Sequence, residues 1–240
     1  MKKLKPMVGD CVEVDLELAV FDHIYPRKNF LIRPLIANVD QVMIVMSMVE
    51  PVFSSLLVEK FLAYANFAKV KPLVVISKID KNIDEAQLAH YVSMLEKLGA
   101  TVISYSKVSK KGLNEVITHL RGKVTALMGQ SGVGKSSLLN VIAPNYARTI
   151  GEYSQALGRG KHQTKEVILL PFDTDSYIAD TPGFSSFDLP MFKEDLAQCY
   201  PGFLSYFAQC KFANCSHIHE SQCAVKKAVE MQEIDHESYQ

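Results

Sequence analysis

The chain has 240 residues, 48% hydrophobic and 22% charged, enough to bury a substantial core in one α/β domain with one or two small attachments. Its 26 basic and 26 acidic side chains cancel, so net charge gives no argument for nucleic-acid binding and any such contact must come from a local patch. The basic opening Met1-Lys2-Lys3-Leu4-Lys5-Pro6 precedes no apolar run of signal-peptide length, and no stretch nears the ~20 apolar residues of a membrane span; a cytoplasmic chain with no membrane partner is expected.

The alternating stretch Val8 to Leu16 predicts a half-exposed strand of a small β module within residues 1–35, and Arg33-Pro34 marks a break after it. Beyond the break, short apolar runs predict strands at 41–47, 73–77, 101–105, 123–128, 166–171 and 176–180. Helical periodicity predicts helices at about 54–69, 84–98, 113–121 and 135–142 between them. Such alternation implies a doubly wound, mostly parallel sheet over residues 36–188, with ligands at the carboxyl ends of its strands. Residues 189–240 turn helical, with pieces at about 191–208 and 222–231.

Gly129-Gln130-Ser131-Gly132-Val133-Gly134-Lys135-Ser136-Ser137 follows a predicted strand, opens a predicted helix and fits the phosphate-loop pattern. Glycines let backbone N–H groups turn onto phosphate oxygens, and the helix start adds its positive dipole end. Lys135 is expected to reach the β- and γ-phosphates and the Ser136 hydroxyl to bind Mg²⁺. A Gly/Ser-rich turn that happens to carry a lysine is the bland alternative.

Ser77-Lys78-Ile79-Asp80 follows the strand Leu73-Val74-Val75-Ile76 and resembles the guanine motif Asn-Lys-x-Asp, with Ser in the first place. Guanine offers two donors, N1–H and the exocyclic amine, which one carboxylate at Asp80 can accept; the Lys78 stem can pack along the base. In guanine-binding proteins the Asn amide helps tie this loop to the phosphate loop. Ser77 lacks that amide, which bears on affinity more than on base choice. Ser106-Lys107 occupies the place of a second base-facing loop that brings an N–H to the guanine carbonyl, although a plain polar turn explains it equally well.

Asp180-Thr181-Pro182-Gly183 resembles the switch element Asp-x-x-Gly, in which Asp180 would hold Mg²⁺ through water and the Gly183 N–H would sense the γ-phosphate. The polar stretch 150–164 reads as a second switch whose Thr164 would reach Mg²⁺. The guanine motifs therefore precede the phosphate loop, the reverse of the usual order. A site defined by proximity in space survives such a permutation. One consequence is that the Asp180 switch runs directly into the C-terminal segment.

Cys210, Cys215, His217 and Cys223 supply three thiolates and an imidazole within fourteen residues, a complete set for a closed structural Zn²⁺ site. Small buried cysteines beside a surface histidine are the alternative, and His219 is a substitute ligand that the spacing favours less.

Taken together, these motifs closely resemble the ribosome small subunit-dependent GTPase A family, and the likeness covers nearly the whole chain. It rests on Pro26-Arg27-Lys28-Asn29, Leu31-Ile32-Arg33-Pro34, Gly129 to Ser137, Gly158-Arg159-Gly160-Lys161-His162-Gln163-Thr164, Asp180 to Phe184 and the cysteine cluster. The resemblance implies a circularly permuted P-loop GTPase with an N-terminal OB-type β module, shortened at its start here, and a C-terminal helical zinc domain. It implies a monomer acting in late maturation of the small ribosomal subunit, contacting rRNA and hydrolysing GTP faster on that subunit. It places the water-orienting role on His162, since Phe184 stands where Ras-like enzymes carry Gln, though a lone His in a basic loop needs no function. Gln163 departs from the family's usual Thr, while Thr164 remains. The competing functions are a GTP-clamped RNA-binding assembly factor with little hydrolysis, and a P-loop kinase or ATPase for which Asp80 would serve no purpose.

Overall fold

A computed structural model describes residues 5–18, 20–81, 83–144, 167–180, 190–191, 193–234 and 236–239. Its centre is a six-stranded sheet built from β5 (Gln41–Ser47), β6 (Lys71–Ser77), β7 (Thr101–Ser104), β8 (Val124–Met128), β9 (Ile168–Asp173) and β10 (Ser176–Asp180). The strand order is β7-β6-β5-β8-β10-β9, with every neighbouring pair parallel except the β9–β10 edge hairpin. Because both faces are covered, the central strands are continuous apolar runs, and alternate residues serve opposite cores. Val42, Ile44, Met46, Val74 and Ile76 pack towards α1 (Ser55–Phe67) and α2 (Glu85–Lys97). Met43, Val45, Leu73, Val75 and Ile103 pack towards α3 (Leu113–Leu120) and α4 (Lys135–Ile142).

The expected strand over 8–16 is shorter. β1 spans Val12–Asp15 and pairs with β2 (Val20–Ile24), while the preceding residues turn. Gly9 is left-handed at φ 85°, and the Asp10 carboxylate accepts the Met7 N–H at 2.8 Å, which stops strand geometry there. The Arg33-Pro34 break lies inside a hairpin of β3 (Phe30–Leu31) and β4 (Ile36–Ala37) whose Leu31 and Ile36 belong to the main core. Tyr64 of α1 clamps this turn, its hydroxyl accepting the N–H groups of Ile32 at 2.8 Å and Arg33 at 3.0 Å.

The single helix expected over 191–208 is divided. It comprises α5 (Lys193–Cys199), a 3₁₀ turn (Pro201–Phe203) and α6 (Leu204–Phe207). Pro201 cannot donate a helical hydrogen bond and drives Tyr200 to an extended ψ of 123°. α7 (Ala224–Glu230) and α8 (His236–Tyr239) complete this region. It docks on α1 through Asn66, whose amide donates to the Cys199 carbonyl at 3.0 Å, and through the Tyr200 hydroxyl, which donates to the buried Glu59 carboxylate. Among the described residues no helix is long and apolar enough to cross a membrane.

Candidate nucleotide site and metal centre

The phosphate loop leaves β8 with a backbone that only glycine satisfies at its first position. Gly129 has φ 136°, and a Cβ there would lie 2.3 Å from the Val45 carbonyl oxygen of β5. Val133 is buried in the α3/α4 core and pins the middle of the loop. Gly134 caps α4 without a side-chain acceptor, so the first-turn N–H groups of α4 are left for a ligand. Lys135 is 8% exposed, and its ammonium donates to the carbonyls of Gly129 at 2.6 Å and Gln130 at 2.5 Å. Ser131, Gly132 and Ser136 are exposed on this rim, with Gln130 and Ser137 half-buried.

Both loops expected to face the base reach the same end of the sheet. Ser77 ends β6 and is buried, with its hydroxyl 2.5 Å from the Val133 carbonyl and 3.0 Å from that of Met46. Although Ser77 lacks the amide of the usual Asn, its hydroxyl makes a tie to the phosphate loop itself. The loops are close enough for so short a side chain, since a Cβ at Gly134 would stand 3.7 Å from the Ser77 oxygen. Lys78 adopts φ 62° and its ammonium donates to the Glu50 carbonyl, while Ile79 packs on the α1/α2 core and Asp80 is exposed. Ser106 is buried, its hydroxyl accepting the N–H groups of Val108 at 3.2 Å and Ser109 at 3.1 Å, which shapes the turn that carries exposed Lys107.

Asp180 ends β10, and the preceding Ala179 pairs with Ala126 of β8, so the switch aspartate's backbone lies beside the strand that feeds the phosphate loop. His162, Thr164 and Gly183 lie outside the described residues. The segment between β5 and α1 contributes contacts that sequence reasoning did not anticipate. The Glu50 carbonyl holds Lys78, and Pro51 lies 3.7 Å from where a Gly132 Cβ would be. A backbone acceptor carries no residue signature, so nothing in the residue types announces this role.

Cys210, Cys215, His217 and Cys223 converge with their ligand atoms within 4.8 Å of one another. The Cys210 and Cys223 sulfurs are 4.0 Å apart, and His217 Nδ1 lies 3.3 Å from Cys223 and 3.7 Å from Cys210. These match the edges of a tetrahedron whose Zn–S bonds are about 2.3 Å and Zn–N bonds about 2.0 Å. The other ring nitrogen, Nε2, lies 3.2 Å from the Ala197 carbonyl of α5, where a proton on Nε2 leaves Nδ1 free to ligate. His219 is exposed and outside the group. Without a cation, burial pushes the Cys215 thiol up to about 12, and desolvation lowers the His217 pKa. Glu220 accepts the N–H groups of Ser216, Ile218 and His219, and its hydrogen bonding to Ser216 above all brings its carboxyl down to about 2.

A phosphate loop after one central strand, two base-facing loops after strands that precede it in the chain, and an Asp at the next strand end define a circularly permuted P-loop GTPase. The profile of the family described as RsgA GTPase matches residues 24–190. The chain belongs to that family. The small ribosomal subunit biogenesis GTPase RsgA of Geobacillus kaustophilus is 43% identical over 239 residues, spanning 97% of this chain and 81% of that protein. The protein of the same description from Caldanaerobacter subterraneus is 38% identical over 237 residues, spanning 98% and 80%. Among solved structures, YloQ, described as a circularly permuted GTPase, superposes with a TM-score of 0.78 at 36% identity, covering 99% of this chain and 78% of that one. YjeQ from Thermotoga maritima gives 0.79 at 34% identity, covering 99% and 82%.

Proposed function

We propose that this chain is a GTPase of small ribosomal subunit maturation, hydrolysing GTP to GDP and phosphate with turnover that rises on the subunit. The observation that carries the reading is the Ser77–Val133 contact, which locks a carboxylate suited to guanine and a loop suited to phosphates into one rigid rim. In this reading Gly129 to Gly134 present backbone N–H groups to the phosphates, and Lys135 exchanges its two loop carbonyls for β- and γ-phosphate oxygens. Asp80 accepts from the guanine edge, and the Lys107 backbone approaches the guanine carbonyl. Mg²⁺ would supply charge neutralisation at the phosphates, held by Ser136 and Thr164 and, through water, by Asp180. His162 is assigned the orientation of the attacking water and Gly183 the sensing of the γ-phosphate; both assignments rest on sequence.

The closed Cys₃His set, with no open position, is assigned one structural Zn²⁺. We assign residues 1–35 and 189–240 to rRNA contact, 36–188 to the nucleotide, and a monomer in the cytoplasm as the working form. The deciding experiment measures GTP turnover with and without small ribosomal subunits. Stimulation supports the proposal, whereas binding without stimulated turnover favours a GTP-clamped assembly factor. His162→Ala should lose the stimulated component while still binding GDP; unchanged stimulated turnover would remove His162 from the mechanism.

A further inference from the structure

Tyr105 follows β7 with its ring in the α3/α4 core, and it is 2% exposed. Its hydroxyl is buried with no hydrogen-bond partner among the described residues. Leaving a buried hydroxyl unpaired is costly, and folded proteins satisfy nearly all such groups, so an orphan beside a ligand site points to a partner supplied when the site fills. Position strengthens the point. The Tyr105 N–H donates to the Ile76 carbonyl at 2.8 Å, which sets Tyr105 next to Ser77, and the chain then enters the Ser106-Lys107 loop. Tyr105 thus joins the two base-facing loops.

Asp80, three residues beyond Ser77, is exposed, and no hydrogen bond or ion pair among the described residues occupies its carboxylate. Burial first, and the charge of Asp80 second, push the Tyr105 hydroxyl above its ordinary pKa, so it keeps its proton and remains a donor. A carboxylate offers about four lone-pair sites, of which a guanine edge uses two, so a third donor does not compete with the base.

We propose that Tyr105 is a positioning residue for base recognition, its buried hydroxyl donating to the Asp80 carboxylate when guanine is seated and fixing the rotamer that meets both guanine donors. This deepens the guanine reading above and rests on it.

The test is Tyr105→Phe, which keeps the ring and removes the hydroxyl, studied in the full chain by calorimetric titration with GDP and with inosine diphosphate, which lacks the exocyclic amine. GDP affinity should fall about ten- to hundredfold, the effect of one hydrogen bond to a charged group. Inosine diphosphate should lose less, having one contact at stake instead of two, so the preference for GDP shrinks. Nucleotide-free melting should hold or rise, because no bond is lost from the core. Wild-type GDP affinity with wild-type preference overturns the proposal, as does an equal loss for both nucleotides together with a lower melting temperature, the mark of a packing role. In an Asp80→Ala background the Tyr105→Phe effect should vanish; an undiminished effect also overturns it. Competition of ADP against GDP in the wild-type chain tests the underlying reading separately, and a preference for ADP would refute that reading itself.

Discussion

Ser77→Ala is the most informative single change, because it removes one oxygen from a site where the geometry is tight and the consequence calculable. The Ser77 side chain is 3% exposed, so alanine fits without strain, yet the Val133 carbonyl loses a donor 2.5 Å away. An unsatisfied buried carbonyl costs about 1–3 kcal/mol. Met46 also loses its weaker share of the hydroxyl, but its carbonyl lies at a strand end, so we expect about 1–2 kcal/mol in all. For a chain of this size that lowers the melting temperature by roughly 2–8 °C. The same bond holds the phosphate loop against the loop proposed to read the base, so GDP affinity should fall about five- to thirtyfold, since ~1.4 kcal/mol corresponds to a factor of ten. Thermal unfolding and titration with a fluorescent GDP analogue, well below the melting temperature, separate the two effects. A variant that melts lower but binds GDP as tightly as wild type would refute the role of Ser77 as a tether between the loops.

Gly129→Ala forces a methyl group to within 2.3 Å of the Val45 carbonyl at φ 136° and should cost on the order of 3 kcal/mol in urea unfolding while abolishing nucleotide binding. Elemental analysis should find one zinc per chain, and Cys223→Ser should lose it along with the cooperative unfolding of the C-terminal helices. Metal-free Cys215 is protonated at neutral pH, so zinc binding displaces protons and its release to a chromogenic chelator should accelerate as pH falls. Hydrogen bonding to Arg27 holds the Asp10 carboxyl below its usual range. A depressed folded value means stability that is present above the unfolded carboxylate's ~3.9 and lost as pH falls through the folded value. Asp10→Asn should therefore melt below wild type at neutral pH, with the gap closing in melts taken below about pH 3.9.

The sheet and its helices were legible in the sequence because their cause is local: β5 to β10 are apolar runs flanked by turn residues, and the observed strands lie within a few residues of those expected. The phosphate loop and the cysteine cluster were legible because each chemistry demands fixed residue types at short spacing. Ser106 proved to shape a turn, and its neighbour Tyr105 showed nothing unusual until the fold buried its hydroxyl. The Glu50 carbonyl and the Ser77 tether were hidden for a different reason. Both depend on the distance between segments far apart in the chain, which only the packing of β5 between β6 and β8 determines. The split of the helix at Tyr200 was visible in Pro201, whose veto on the preceding residue outweighs helical periodicity.

The placement of β8 also sets a schedule for synthesis. β5, β6 and β7 are joined by local helical crossovers and can assemble as soon as they emerge, but the other edge of β5 must wait for β8. At ~5–20 residues per second, the roughly 80 residues from the end of β5 to the start of β8 take several seconds. Through that interval β5, buried along its whole length in the finished sheet, presents an open edge, and the half carrying the loops proposed to read the base exists without its phosphate loop. Nucleotide can therefore engage both loops together only after β8 and the phosphate loop have been made, which puts ligand binding late in the birth of the molecule.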